Sequence, residues 1–161
     1  MERCLTERRS GGEPRPANHR FETSVSGSSS PEETEALGHS LARCLKPGMV
    51  IALQGSLGVG KTCLAKGIAR GLGITENITS PTYTIISEYP GTIPLYHIDA
   101  YRLNSDDDFE NTGAGEYIGE GVTIIEWPDR IPRSIPSDAI MIQIEVTGPY
   151  SRIFRIEGME L

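Results

Sequence analysis

Gly55-Ser56-Leu57-Gly58-Val59-Gly60-Lys61-Thr62 fits, without mismatch, the pattern of a glycine, four residues, then Gly-Lys-Ser/Thr. Each fixed residue type has a chemical reason. Glycines at 55, 58 and 60 tolerate positive-φ or crowded backbone, so neighbouring amides can turn inward and wrap a polyphosphate. Lys61 reaches over the same phosphates, and the Thr62 hydroxyl offers a ligand to Mg²⁺. A helix starting here points its positive end at the anion. The spacing predicts a loop that binds a nucleoside triphosphate.

Such a loop needs a carboxylate at the end of a neighbouring strand, to hold Mg²⁺ directly or through water. Two are available. Asp99 ends Leu95-Tyr96-His97-Ile98-Asp99, and Glu126 ends the more apolar run from Val122 to Ile125. Strand hydrophobicity favours Glu126, whereas residue type favours Asp99. Two carboxylates near one metal can also divide the work, one binding it and one orienting the attacking water. Thr82 and Thr84, in the hydroxyl-rich stretch Thr79-Ser80-Pro81-Thr82-Tyr83-Thr84, can sense a γ-phosphate as a switch, or can be ordinary turn residues. Trp127, the single tryptophan, directly follows Glu126. His97, Tyr96 and Tyr101 read as structural. Cys63, in the first turn of the loop helix, is open to two readings: a dipole-stabilised thiolate or a small packed residue.

The flanking elements must hold these groups. Met49 to Leu53, after Pro47-Gly48, reads as a buried parallel strand. Leu64, Ile68 and Leu72 mark one face of the following helix, which stops at Gly71 and Gly73. Upstream, Ser30, Pro31 and Glu33 form a helix start with a capping box, and Leu37, Leu41 and Leu45 mark that helix's face. Thr84–Tyr89, Leu95–Asp99 and Val122–Trp127 are expected strands, and Ser105–Glu110 an acidic surface helix or loop. Ala139–Val146 and Ser151–Glu157 predict an antiparallel hairpin around Gly148-Pro149. Phe21–Val25 reads as a short edge strand, Ser26–Ser30 as a linker, and residues 1–20 as a disordered extension. The expected architecture is a three-layer α/β P-loop NTPase-like fold over residues 21–161, with a mainly parallel central sheet and a C-terminal antiparallel hairpin.

The chain has 161 residues and a formal charge of −7. Arg3, Arg8, Arg9, Arg15 and Arg20 outnumber the acids of residues 1–30, so the negative excess lies in the remainder. An acidic body without a basic stripe argues against unaided binding of RNA, and no DNA partner is expected. Cys4, Cys44 and Cys63 have no paired or metal-like spacing, and no apolar run reaches transmembrane length. A reduced, cytoplasmic protein is the expectation.

Taken together, the glycine loop, Ser80-Pro81-Thr82-Tyr83-Thr84, His97-Ile98-Asp99-Ala100-Tyr101-Arg102-Leu103 and Ile125-Glu126-Trp127-Pro128 resemble the TsaE (YjeE) family, in order and interval. The start of the first helix, Pro31 to Thr34 with Leu37-Gly38, resembles that family too. The likeness spans residues 25–157. It implies a small bacterial ATPase of threonylcarbamoyladenosine synthesis on tRNAs reading codons that begin with adenine. It further implies partners TsaB and TsaD, with tRNA met only through that complex, and weak hydrolysis alone. Carried over, Gly58, Val59, Gly60, Lys61, Thr62 and Cys63 bind the phosphates of ATP, and Thr62 and Glu126 hold Mg²⁺. Asp99 supports metal or water, Thr82 and Thr84 form the switch, Trp127 lines the site, and Ser30 to Thr34 touch the adenine. Two positions depart from the family pattern: Ser56 stands where aspartate is usual, and Cys63 where threonine is usual.

The alternative is a small-molecule or nucleotide kinase of the same loop class, but no arginine cluster is present to form its lid. A GTPase lacks support, since there is no Asn-Lys-x-Asp segment. A nucleotide-gated binding module is the third reading, separated from an ATPase by phosphate release.

Overall fold

The computed structural model describes residues 23–81 and 84–159. In chain order its elements are β1 (Ser24–Ser28), α1 (Pro31–Ala42), β2 (Val50–Gln54), α2 (Lys61–Gly71), β3 (Ile86–Tyr89), β4 (Leu95–Asp99), α3 (Asp106–Thr112), β5 (Val122–Glu126), β6 (Ile140–Val146) and β7 (Arg152–Glu157). Short 3₁₀ turns cover Ala114–Tyr117 and Pro128–Arg130. The readings of residues 1–20, of Phe21 and Glu22 in the expected edge strand, and of Thr82 lie outside the described residues.

All seven strands form one sheet in the order β1-β7-β6-β2-β5-β4-β3. The centre is parallel: β2 lies between β6 and β5, and β5 pairs with β4. The outer pairs β1–β7, β7–β6 and β4–β3 are antiparallel. Helices α1 and α2 cover one face, over Leu53, Ile124, Ile142 and Phe154. Phe109 of α3 covers the other, with Ile98, Ile125 and Ile131. β2 and β5 are buried on both faces, which is why each reads as a continuous apolar run. This is the expected three-layer α/β fold with its antiparallel C-terminal hairpin.

α1 and α2 meet through glycine. A Cβ on Gly67 would lie 2.1 Å from Glu35 O, one on Gly38 2.4 Å from Leu64 O, and one on Gly71 2.4 Å from Ala42 Cβ. The two backbones approach closer than any side chain permits. α1 starts as its sequence predicts, with Ser30 Oγ accepting from Glu33 N at 3.1 Å. The reciprocal arm differs by one residue, since the Glu33 carboxylate takes the amide of Ser29 rather than that of Ser30.

Three expectations are corrected. The edge strand runs Ser24–Ser28, so most of the expected serine linker is strand. Its backbone pairs with β7 from Ser24↔Ile156 to Ser28↔Arg152, and an edge ladder accepts small polar side chains on its open face. β3 begins at Ile86, leaving Thr84 exposed in a bend. α1 ends at Ala42, and Leu45 is buried by a tightening turn in which Leu45 N bonds Ala42 O.

Candidate functional site

α2 begins unlike the other helices. α1 and α3 are capped by Ser30 and Ser105 and carry acids in their first turns. α2 is preceded by Gly60 at φ 115°, with no side-chain cap and no acid in its first turn. Its leading amides are therefore left for an outside acceptor. Gly58 (φ 72°) and Gly60 both have open space where a Cβ would stand. That combination suits a phosphate chain and offers nothing to a cation.

The carboxyl ends of β2, β5 and β4 lie side by side. Leu53 is the register partner of Glu126, and Glu126 that of Asp99. Glu126 is only 3% exposed, and its Oε1 lies 2.9 Å from His97 Nε2. Asp99 is half-buried; its Oδ1 accepts from Tyr101 N at 2.9 Å and its Oδ2 from Ser80 Oγ at 3.4 Å.

Lys61 faces both acids. Its ammonium donates to Gly55 O at 2.6 Å and Ser56 O at 3.2 Å. Burial pushes its pKa down from the usual lysine value, while Glu126, Asp99 and Asp129 pull it back up. The same nitrogen sits 4.1 Å from the centroid of Trp127. The Trp127 ring meets Tyr101 at 4.9 Å, and Arg130 caps Tyr101 at 5.7 Å, making a stack of cation, two rings and cation. Trp127 is also the one non-glycine residue with positive φ among those described, at φ 59° and ψ 52°. A left-handed tryptophan costs on the order of 1–3 kcal/mol. The strain turns the chain sharply out of β5 and sets the indole beside the loop.

A cavity of about 720 Å³ collects these groups: Gly58, Gly60, Lys61, Thr62, Cys63, Asp99, Glu126 and Trp127 all line it. Val59, Ser30, Thr34 and Thr84 do not. Val59 is buried, with its Cγ1 2.7 Å from where a Cβ on Gly55 would stand, and its carbonyl accepts from Arg152 Nε at 2.9 Å. The Ser30 hydroxyl caps α1, and the buried Thr34 hydroxyl bonds Ser28 Oγ at 2.8 Å. On α1 it is Pro31 and Glu35 that border the cavity. Cys63 Sγ lies 3.1 Å from Pro31 O, and burial first, then Glu35, raises its pKa. The contact with Pro31 O and the raised pKa favour the packed reading of Cys63 over the thiolate one.

Sequence reasoning missed Arg152, 93 positions from the loop carbonyl it holds. It also assigned Tyr101, which lines the cavity, and His97, which touches the buried acid, to structure alone. The Asp-x-Tyr spacing carried a signal for Tyr101, because Asp99 Oδ1 takes the Tyr101 amide.

Among the described residues, no three His, Cys, Asp or Glu side chains group to hold a metal unaided. Thr62, Asp99 and Glu126 offer one hydroxyl and two carboxylates, a hard-oxygen set that nucleotide phosphates would complete around Mg²⁺. The residues present fit a magnesium–nucleotide complex.

Sheet order, glycine cradle and strand-end acids define a P-loop nucleotide-binding protein of the α/β class. The family model for the threonylcarbamoyl adenosine biosynthesis protein TsaE matches residues 28–154. The chain belongs to the TsaE family. It is similar to the tRNA threonylcarbamoyladenosine biosynthesis protein TsaE of Treponema pallidum, 44% identical over 126 residues, covering 78% of this chain and 93% of that one. The Bacillus subtilis protein of the same description is 46% identical over 124 residues, covering 76% and 77%. The crystal structure of Bacillus subtilis YdiB superposes with a TM-score of 0.69 at 36% identity, covering 86% of this chain and 87% of that one.

Proposed function

We propose that this protein is a Mg²⁺-dependent ATPase of tRNA threonylcarbamoyladenosine biosynthesis, acting on a complex of TsaB and TsaD and meeting tRNA only through it. The observation that carries the reading is the uncapped start of α2 facing Asp99 and Glu126 across one cavity. The pathway is that named for the relatives from Treponema pallidum and Bacillus subtilis. The working unit is one domain from residue 21 onward. Its expected compartment is the cytoplasm, which suits cysteines without paired spacing.

The roles follow from position. The amides of Gly58, Gly60, Lys61, Thr62 and Cys63 hold the phosphates, and Lys61 leaves the Gly55 and Ser56 carbonyls to meet them. Bound Mg²⁺ would neutralise charge on the phosphate oxygens, with Thr62 and Glu126 as its protein ligands. Asp99 orients water or a metal-bound water, and Thr82 and Thr84 respond to the γ-phosphate. Trp127 closes one wall of the cavity.

Phosphate release should be measured with Mg²⁺-ATP, with EDTA, and with TsaB and TsaD added. Slow release alone, stopped by EDTA and raised by the partners, is expected. Transfer of phosphate to a small acceptor, without stimulation, would establish a kinase instead.

A further inference from the structure

Behind Glu126 stands a histidine that the functional reading leaves unused. His97 lies on β4 two residues before Asp99, so its side chain shares the face of the sheet that carries Asp99. It is 0% exposed. On that face Leu95, Val122 and Ile124 are apolar and buried, and on the other side the register partner is Ser87 of β3. An imidazole here is costly, because His97 Nδ1 finds no hydrogen-bond partner. A leucine would pack the same layer without that cost. What the imidazole gains is one contact, Nε2 to Glu126 Oε1 at 2.9 Å, made in a buried setting where such a contact is strong.

We propose that His97 is a positioning residue for Glu126. Its Nε2–H donates to Oε1 and fixes the carboxylate rotamer, so that the other carboxylate oxygen keeps a constant place at the cavity. The geometry is that of a ligand held by a partner behind it, which sets orientation without touching the bound group. Glu126 has no other side-chain partner among the described hydrogen bonds, whereas Asp99 is tied by both Tyr101 and Ser80. The deeper acid therefore depends on one residue for its aim. This rests on the assignment of Glu126 to the magnesium–nucleotide complex, and the test separates the two.

The first measurement needs no nucleotide. The chain contains three histidines, His19, His39 and His97, so ¹⁵N-histidine correlation spectra of the full chain can be assigned by single substitutions. His97 should show a slowly exchanging Nε2–H whose shift moves in Glu126→Gln. An Nδ1–H tautomer, or no change in Glu126→Gln, overturns the proposal whatever the protein hydrolyses.

The second uses conservative variants. Gln reaches about where Nε2 stands and can still donate, whereas Asn stops short. His97→Asn should lower kcat by about ten- to a hundredfold with KM nearly unchanged, and should weaken the Mg²⁺ dependence of binding of a fluorescent ATP analogue. His97→Gln should recover most of both. Equal losses in Asn and Gln variants, tracking their melting temperatures, would reduce His97 to packing and overturn the proposal. If the wild-type chain releases no phosphate, the ATPase reading fails while the spectra and the Mg²⁺ dependence still decide this one.

Discussion

Asp99 and Glu126 are register partners on adjacent parallel strands, so two carboxylates end side by side in front of Lys61. They are not equivalent. Glu126 is buried against a histidine, and Asp99 is half-exposed and bound to a loop hydroxyl and a backbone amide. Their environments differ in kind: one acid is buried and fixed, the other more accessible.

Glu126→Gln is expected to keep nucleotide binding and to lose phosphate release by about two to three orders of magnitude, the usual range for losing one group that stabilises charge in the transition state. Asp99→Asn should lose less. Parallel single-turnover assays check the ranking; the reverse order would make Asp99 the essential acid.

Lys61→Ala should weaken ATP binding by about ten- to a hundredfold, since a charge-assisted contact to phosphate contributes roughly 1.5–3 kcal/mol. Calorimetry on the intact chain reads this directly. Unchanged affinity would mean that the ammonium stays on the Gly55 and Ser56 carbonyls.

Trp127 combines a strained backbone with a ring on Lys61, and one substitution separates the two. Trp127→Gly relaxes the positive φ yet removes the indole, so stability should hold while stimulation by TsaB and TsaD falls. Trp127→Ala should lose both. In the wild type, the single indole should change its fluorescence when Mg²⁺-ATP arrives.

Gly67→Ala should lower stability by about 1–3 kcal/mol, because the new methyl meets the Glu35 carbonyl and forces α1 away. Thermal melts give the magnitude. The same shift would displace Pro31 and Glu35 from the cavity, so nucleotide affinity should fall with it.

Asp106 supplies the acid limb of stability. Its carboxylate accepts from Ser134 Oγ and Ser134 N at 2.7 Å each, and these bonds, with Arg133, hold its pKa below the usual carboxylate value. A depressed folded pKa gives stability that is full above about pH 4 and is lost as pH falls through the folded value. Asp106→Asn should melt earlier than wild type at pH 7, and the gap should close in acid.

Local chemistry was legible wherever a few consecutive residues decide it. The glycine loop, the Ser30 cap, the apolar runs of β2 and β5 and the β6–β7 hairpin could all be read directly. Of the family-specific segments, Asp99, Glu126 and Trp127 come to the cavity, whereas Ser30, Thr34 and Thr84 do not line it. What could not be read depends on pairing across the fold. β1 holds serines that look like linker until β7 is beside it. Thr34 looks available until Ser28 takes its hydroxyl. Arg152 carries no signal at all until the hairpin brings it to Val59.

The β1–β7 ladder has a consequence for the chain's birth. Ser24 leaves the ribosome long before Ile156, its register partner, has been made. The earliest described strand thus waits on the latest one to close the sheet's edge. Until β7 emerges, the phosphate loop also lacks the Arg152 contact to Val59. A nascent chain stalled short of residue 152 would therefore bear an unpaired β1 and a slack loop, and competence to grip nucleotide should come only once β7 is available to pair.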